Sequence, residues 1–289
     1  MRKRKQKFSL CFLIPSLALL GIFVIFPLFW AIIVGFTNQT LWGETAKNFK
    51  FVGFKNYVRL INDPDFYNSL RVTLIFIFCA VGGHLLLGLL FANLLRIKKI
   101  LGKKVIFASI LIPWVTPPLV AAYMWRSVLN LEYGWLNSIL VSIGLNRIDW
   151  FGSYPILSIL LPNWSRGMAL AFLILFAALE GIPVYIYDAA KIDGSSSWQT
   201  FIYITLPLIK YSILVTLLIS TFLTLSAFDM IYALTGGGPA SQTEVFSIFI
   251  YTKAFKDMFL GYAGALSSIL LGVSLILGIF YIKSIRVEV

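Results

Sequence analysis

Residues 70–95 read LRVTLIFIFCAVGGHLLLGLLFANLL, a run of 26 residues with a single charge, Arg71. A helix that crosses the hydrocarbon of a bilayer needs about 20 mostly apolar residues, and this run supplies more than enough. Five further runs of the same kind lie at 10–36, 105–129, 156–182, 208–234 and 259–282. The expectation is therefore an all-α integral membrane protein with six transmembrane helices. An outer-membrane barrel is excluded, because its strands are segments of about 10 alternating residues. Composition agrees: of 289 residues 59% are hydrophobic and 12% charged, with a mean hydropathy of +0.88. Ordinary soluble domains carry about 45–50% apolar and about 25% charged residues. Half the usual charge cannot cover a water-facing surface, so a soluble enzyme, a disordered chain and a nucleic-acid binder are excluded despite a net charge of +12. Cys11 and Cys79 both fall inside apolar runs, and no disulfide framework is implied.

The first run follows a basic head, Arg2-Lys3-Arg4-Lys5. It is longer than a signal-peptide core and no small-residue cleavage site closes it, so it reads as a retained span. Lys and Arg favour the cytoplasmic side in short loops. With the N-terminus inside, thirteen fall there: five in residues 1–9, then Arg96, Lys98, Lys99, Lys103, Lys104, Lys191, Lys283 and Arg286. Seven fall outside, namely Lys47, Lys50, Lys55, Arg59, Arg147, Lys253 and Lys256. Both termini are expected in the cytoplasm. The resulting organisation is a basic cytoplasmic N-terminus (1–9), a first span (10–36), an extracytoplasmic loop (37–69), a core of five helices (70–283) with a cytoplasmic loop at 183–207, and a cytoplasmic tail (284–289).

Pro27, Pro113, Pro117, Pro118 and Pro162 punctuate the runs. Proline removes a backbone donor and kinks a helix, and in lipid the freed carbonyls need protein or a water-lined cavity. The third run, with Pro113 and Pro117-Pro118, is expected to break near its middle. Ionisable groups at membrane depth are costly and mark pathways or partners. Arg166, Glu180 and Asp229 are the candidates, with snorkelling to an interface as the alternative for each. Thr216, Ser220 and Thr224 form a hydroxyl stripe at a four-residue spacing, facing either a solute or a neighbouring helix. His84 is the only histidine and has no metal-ligand companions at suitable spacing.

The loop 183–207 reads as helix, turn, helix. Pro183 suits a first helical position, Gly194 a left-handed cap, and Ser196 with Gln199 a capping box. Pro207 marks the lead-in to the fifth span. A short helix with small Ala189 and Ala190 exposed suits either a structural elbow or a docking device.

The run Asp188-Ala189-Ala190, followed by Asp193-Gly194 and by Ile204, Leu206 and Pro207, resembles the EAA motif of permease subunits of binding-protein-dependent ABC importers. That family usually has Glu where Asp188 stands and Ala where Ser195 stands. Phe51-Val52-Gly53-Phe54 with Asn56-Tyr57, and Phe228-Asp229 through Thr235-Gly236-Gly237-Gly238-Pro239, are similar to segments of its sugar-type branch, which includes the maltose and glycerol-3-phosphate permeases. The resemblance implies a type I ABC importer permease fold in the cell (inner) membrane of a prokaryote. It implies as partners a second permease, two cytoplasmic ATPases, an extracytoplasmic solute-binding protein, a sugar and membrane lipid, and no nucleic acid. A helix from about residue 185 to 192 would dock on an ATPase through Tyr187, Asp188, Ala189, Ala190, Asp193, Gly194 and Pro207. Position by position it carries a sugar pathway onto Asn163, Gly167, Ser220 and Thr224, with Arg166, Asp229 and Tyr232 beside them. Arg166 stands where the maltose case is apolar, and Ala227 where it is polar.

Gly102-Lys103 is the nearest fragment of a nucleotide-binding Walker A, and it lacks the first Gly and the following Ser/Thr. No cofactor is expected on this chain; ATP and Mg belong to the partner ATPase. The alternatives are an importer for a polyol or phosphorylated polyol, an intramembrane enzyme, which needs a convergent acid, base, nucleophile or metal set, and a secondary transporter, which would carry inverted repeats.

Overall fold

The computed structural model describes residues 14–96 and 101–286. Helices carry the fold; among the described residues the only strand-like pairing is one antiparallel bridge, Thr37 to Phe51. The long elements are α1 (Ile14–Gly35), α2 (Pro64–Leu95), α3 (Lys103–Val115), α4 (Pro118–Val128), α5 (Pro155–Glu180), α6 (Val184–Ile192), α7 (Ser197–Leu208), α8 (Lys210–Leu225), α9 (Asp229–Thr235) and α10 (Leu260–Arg286). Four of them, α1, α2, α5 and α10, are each long and apolar enough to cross a membrane. Two bent pairs, α3 with α4 and α7 with α8, raise the count to six when each pair is one span. Residues 1–13, including the basic head and Cys11, lie outside the described residues.

The ends of the runs differ from their hydropathy boundaries for local reasons. α2 begins at Pro64 rather than at residue 70, because Asp63 caps it. The Asp63 Oδ1 accepts the Asp65 N–H at 3.0 Å, and Pro64 occupies a first-turn position where no donor is needed. The third run is two helices meeting at 106°. Pro117 and Pro118 lack N–H groups, and Thr116 is pushed to extended backbone (φ −66°, ψ 129°), as a residue before proline tends to be. The fifth run, 208–234, is not one helix. It comprises α8, an irregular stretch at 226–228 and α9; α7 leads into α8 through a 68° bend at Ile209. Hydropathy runs straight through these breaks because every residue at them is apolar or small. Two interior prolines, Pro27 and Pro207, each follow a widened turn, Gly21–Ile25 and Phe201–Thr205. The wide turn takes up the ring that would otherwise strike the preceding carbonyl.

The chain forms two compact units. In the first, residues up to Phe66 with Phe249–Leu275, α1 and α10 cross at backbone contact: a Cβ built on Gly264 would lie 2.7 Å from the Gly35 nitrogen. Asn56 closes the end of α1, its Nδ2 donating to the Gly35 and Thr37 carbonyls at 2.8 Å each. Phe36 is held among Phe51, Phe54 and Tyr57 at ring separations of 6.2, 5.3 and 5.1 Å. The 51–57 motif thus fastens the loop to the helix ends. Tyr262 donates its hydroxyl to Asp63 at 2.6 Å, beneath the Arg59 guanidinium.

In the second unit, Tyr67–Ile248 with Ile276–Val289, α5 is the centre and packs against α3, α4, α8 and α9. Two apolar clusters flank it. One joins Phe76 and Ala80 of α2 to Ile159, Met230, Ile231 and Leu234; the other joins Ala92 and Leu95 to Phe172, Leu175, Leu179 and Ile209. The polar face between these clusters is where the site lies.

Candidate functional site

Between α5 and α8 lies a cavity of about 240 Å³, well above what a single water needs. Asn163, Arg166, Gly167 and Leu170 line it from α5, and Ser220, Leu223 and Thr224 from α8. The stretch 226–229 after α8 closes one side, Trp114 and Pro118 at the α3–α4 break another, and His84 of α2 a third. The four-residue spacings read in the sequence hold: Asn163 with Gly167, and Ser220 with Thr224, each present one helix face to the same space.

His84 ties α2 to α5. Its Nε2 donates to the Asn163 carbonyl at 3.1 Å and meets the Asn163 Oδ1 at 2.9 Å. A Cβ at residue 167 would run into the imidazole, so glycine at 167 lets the ring lie against the helix backbone. Nearby, the Trp164 indole packs close to Gly83 and donates to the Cys79 carbonyl at 2.9 Å. Trp164 is therefore a packing residue. Arg166 lines the cavity and also donates to the Thr116 carbonyl, so one guanidinium N–H serves the broken helix where Pro117 and Pro118 bring no donors.

The hydroxyl stripe divides. Thr216 is buried, off the cavity, and donates to the Ser212 carbonyl one turn back at 2.7 Å. Ser220 and Thr224 are buried and line the cavity, and the Thr224 hydroxyl meets no partner among the described residues. Asp229 opens α9, exposed at the cavity's edge. Tyr232 does not line the cavity; it stacks on Phe228 at 5.1 Å and 17° and packs against the first cluster.

The loop 183–207 forms the anticipated helix, turn and helix. Pro183 is the cap, not the first helical residue: its ψ of 137° is extended and α6 starts at Val184. Gly194 is left-handed at φ +76°, which turns the chain after α6. Ser196 and Gln199 complete the capping box. Ala190 is buried rather than exposed, because α6 lays that face on its own chain; Ala189 is exposed. Tyr187 also faces inward. The Arg96 guanidinium stands 4.1 Å over its ring, its hydroxyl lies 3.3 Å from the Thr205 Oγ1, and it packs with Ile186 on the second cluster. The outward stripe is Tyr185, Asp188, Ala189 and Ile192, spaced as one helix face. Asp188 pairs with Lys191 at 3.3 Å. Asp193, Gly194 and Pro207 are exposed. Tyr185 and Ile192 were legible as face-mates of Asp188 from the 3.6-residue period, whereas the sequence-derived set holds Tyr187 and Ala190 instead.

Residues 84–284 match the family described as the binding-protein-dependent transport system inner membrane component. The chain belongs to this family. The trehalose/maltose transport system permease MalF of Thermococcus litoralis is 34% identical over 254 residues, covering 87% of this chain and 84% of that protein. The multiple sugar-binding transport system permease MsmF of Streptococcus mutans is 34% identical over 282 residues, with 96% and 93% covered. Among solved structures, a bacterial alginate ABC transporter in complex with an alginate pentasaccharide-bound periplasmic protein has a chain with a TM-score of 0.82 at 20% identity, covering 99% of this chain and 98% of that one. This likeness shows a shared fold. The chain is a multi-pass membrane component and a transport subunit rather than an enzyme. In this inner membrane component the EAA-like segment is the exposed helix α6 with its left-handed turn. The Phe228–Pro239 segment lies in and beside α9, next to the cavity.

Proposed function

We propose that this chain is one of two permeases forming the translocation pathway of an ATP-driven importer for a neutral carbohydrate. The observation that carries the reading is the lining of the α5–α8 cavity: an amide, two hydroxyls and a glycine on facing helices. Hydroxyls and amides exchange hydrogen bonds with sugar hydroxyls, and uncharged polar groups suit a solute that must bind and then leave. The relatives named above support carbohydrate as the cargo. In the proposed arrangement six spans cross the inner membrane of a prokaryote, each bent pair counting as one, with both termini in the cytoplasm. An extracytoplasmic binding protein delivers the solute, and two ATPases that hold ATP and Mg drive the cycle. The outward stripe of α6, with Asp188 at its centre and Gly194 setting the turn, is the proposed ATPase contact. Motion there is tied to the pathway through Tyr187, which Arg96 and Thr205 grip. Arg166 and Asp229 line the same cavity and bring one charge of each sign to it.

The test is uptake of radiolabelled trehalose, maltose and lactose into proteoliposomes that contain the complete importer and its binding protein. The reading requires ATP-dependent accumulation of at least one of them, lost when this chain is omitted. Accumulation of a phosphorylated polyol alone would favour that alternative cargo.

A further inference from the structure

His84 holds a polar atom that the fold does not satisfy. The residue is 3% exposed, and its Nε2 lies 3.1 Å from the Asn163 backbone carbonyl. A carbonyl can only accept, so Nε2 carries the proton whichever way the Asn163 amide is turned. In the neutral ring Nδ1 is then a bare acceptor. Among the described residues no donor reaches it, although buried polar atoms nearly always find a partner. The same holds for the Thr224 hydroxyl, and both residues line the one cavity. Gln39 Oε1 and Trp150 Nε1 also lack a partner but lie away from this cavity; His84 and Thr224 are the pair that share one, where a single guest can serve both.

Resting on the carbohydrate reading, we infer that His84 is a specificity-determining residue whose Nδ1 accepts a hydrogen bond from one hydroxyl of the solute. Asn163 fixes the tautomer, Gly167 admits the ring, and Thr224 offers a second polar contact to the same guest. The class of solute is thereby narrowed to one with a free hydroxyl at the position facing α2. An ether, a deoxy centre or a second acceptor there leaves Nδ1 unmatched.

The test compares trehalose, maltose and lactose with their monodeoxy derivatives, using the complete importer in proteoliposomes. Selection by the binding protein is common to all variants and cancels in each ratio of variant to wild type. Wild type should take up a parent sugar roughly two- to tenfold better than one particular monodeoxy derivative, the worth of one hydrogen bond. His84→Gln keeps a donor near the Nε2 position for Asn163 and removes the Nδ1 acceptor. It should erase that one preference while leaving the other hydroxyls' preferences intact. His84→Asn keeps an acceptor near Nδ1 and gives up the Asn163 link, and it should retain the preference. If the glutamine variant does not assemble, the asparagine variant decides alone, by keeping the preference or losing it. Unchanged ratios in His84→Gln, or no discriminating hydroxyl in wild type, overturn the inference while the carbohydrate reading stands. A wild-type importer that accumulates none of the three sugars overturns both together.

Discussion

Replacing Thr224 by valine exchanges a hydroxyl for a methyl group with little change of shape. In a helix such a hydroxyl usually bonds back to the carbonyl four residues earlier, as Thr216 and Thr235 do at 2.7 and 3.1 Å. Thr224 does not; its Oγ1 is buried with no partner among the described residues, at the wall of the cavity. A buried hydroxyl without a partner costs about 1–3 kcal/mol. Valine should therefore leave the unloaded protein at least as stable as wild type, read as an equal or higher midpoint of thermal unfolding in detergent without solute. In the loaded state the hydroxyl contributes about 0.5–1.5 kcal/mol net, so uptake by Thr224→Val should fall roughly two- to tenfold. Reduced uptake with no loss of stability is a combination that a structural hydroxyl cannot produce. A valine variant that is less stable than wild type and transports proportionately less would refute the reasoning, because the hydroxyl would then have a partner inside the folded chain.

Gly167→Ala places a Cβ on the His84 ring and should cost about 1–3 kcal/mol of overpacking, seen as a lower unfolding midpoint together with reduced uptake. Gly194→Val forces a β-branched residue to φ +76°, which costs about 1–3 kcal/mol of backbone strain. The chain should still insert, while solute-stimulated ATP hydrolysis by the assembled importer collapses; normal coupling would dismiss the turn as a docking element. Lys103→Cys, in a background without Cys11 and Cys79, should react with an impermeant thiol reagent only from the inner face of oriented vesicles. Labelling from outside would reverse the proposed topology.

Much of the architecture was legible because a bilayer imposes length and apolarity, and both are countable. The 156–182 run became α5 within a few residues. The breaks were legible only where proline announces them: Pro117-Pro118 foretold the α3–α4 bend, whereas nothing in the apolar series foretold the interruption at 226–228. Asp63-Pro64 is a helix start written in polar residues, so a scan for apolar runs passed over it. The cavity-lining set was half legible. Spacing on one helix revealed Ser220 with Thr224, and the family resemblance supplied Asn163 and Gly167. His84 was missed because its role depends on a contact between α2 and α5, 79 residues apart in sequence. Its one local signal was the preceding Gly82-Gly83, where small residues let a neighbouring helix approach. Ala190 was expected to be exposed and Tyr187 was carried over as a docking residue, because a motif gives identities without giving the face; burial of one side of α6 decides that face.

In the proposed importer a carbohydrate passes between α5 and α8. The direct measurement is modification of Ser220→Cys, in a background lacking Cys11 and Cys79, by a small thiol-reactive reagent during turnover, with radiolabelled trehalose, maltose or lactose uptake as the readout. The cysteine should react, uptake should stop once it has, and an excess of the transported sugar should slow the reaction. A fully modified residue 220 with undiminished uptake would contradict it.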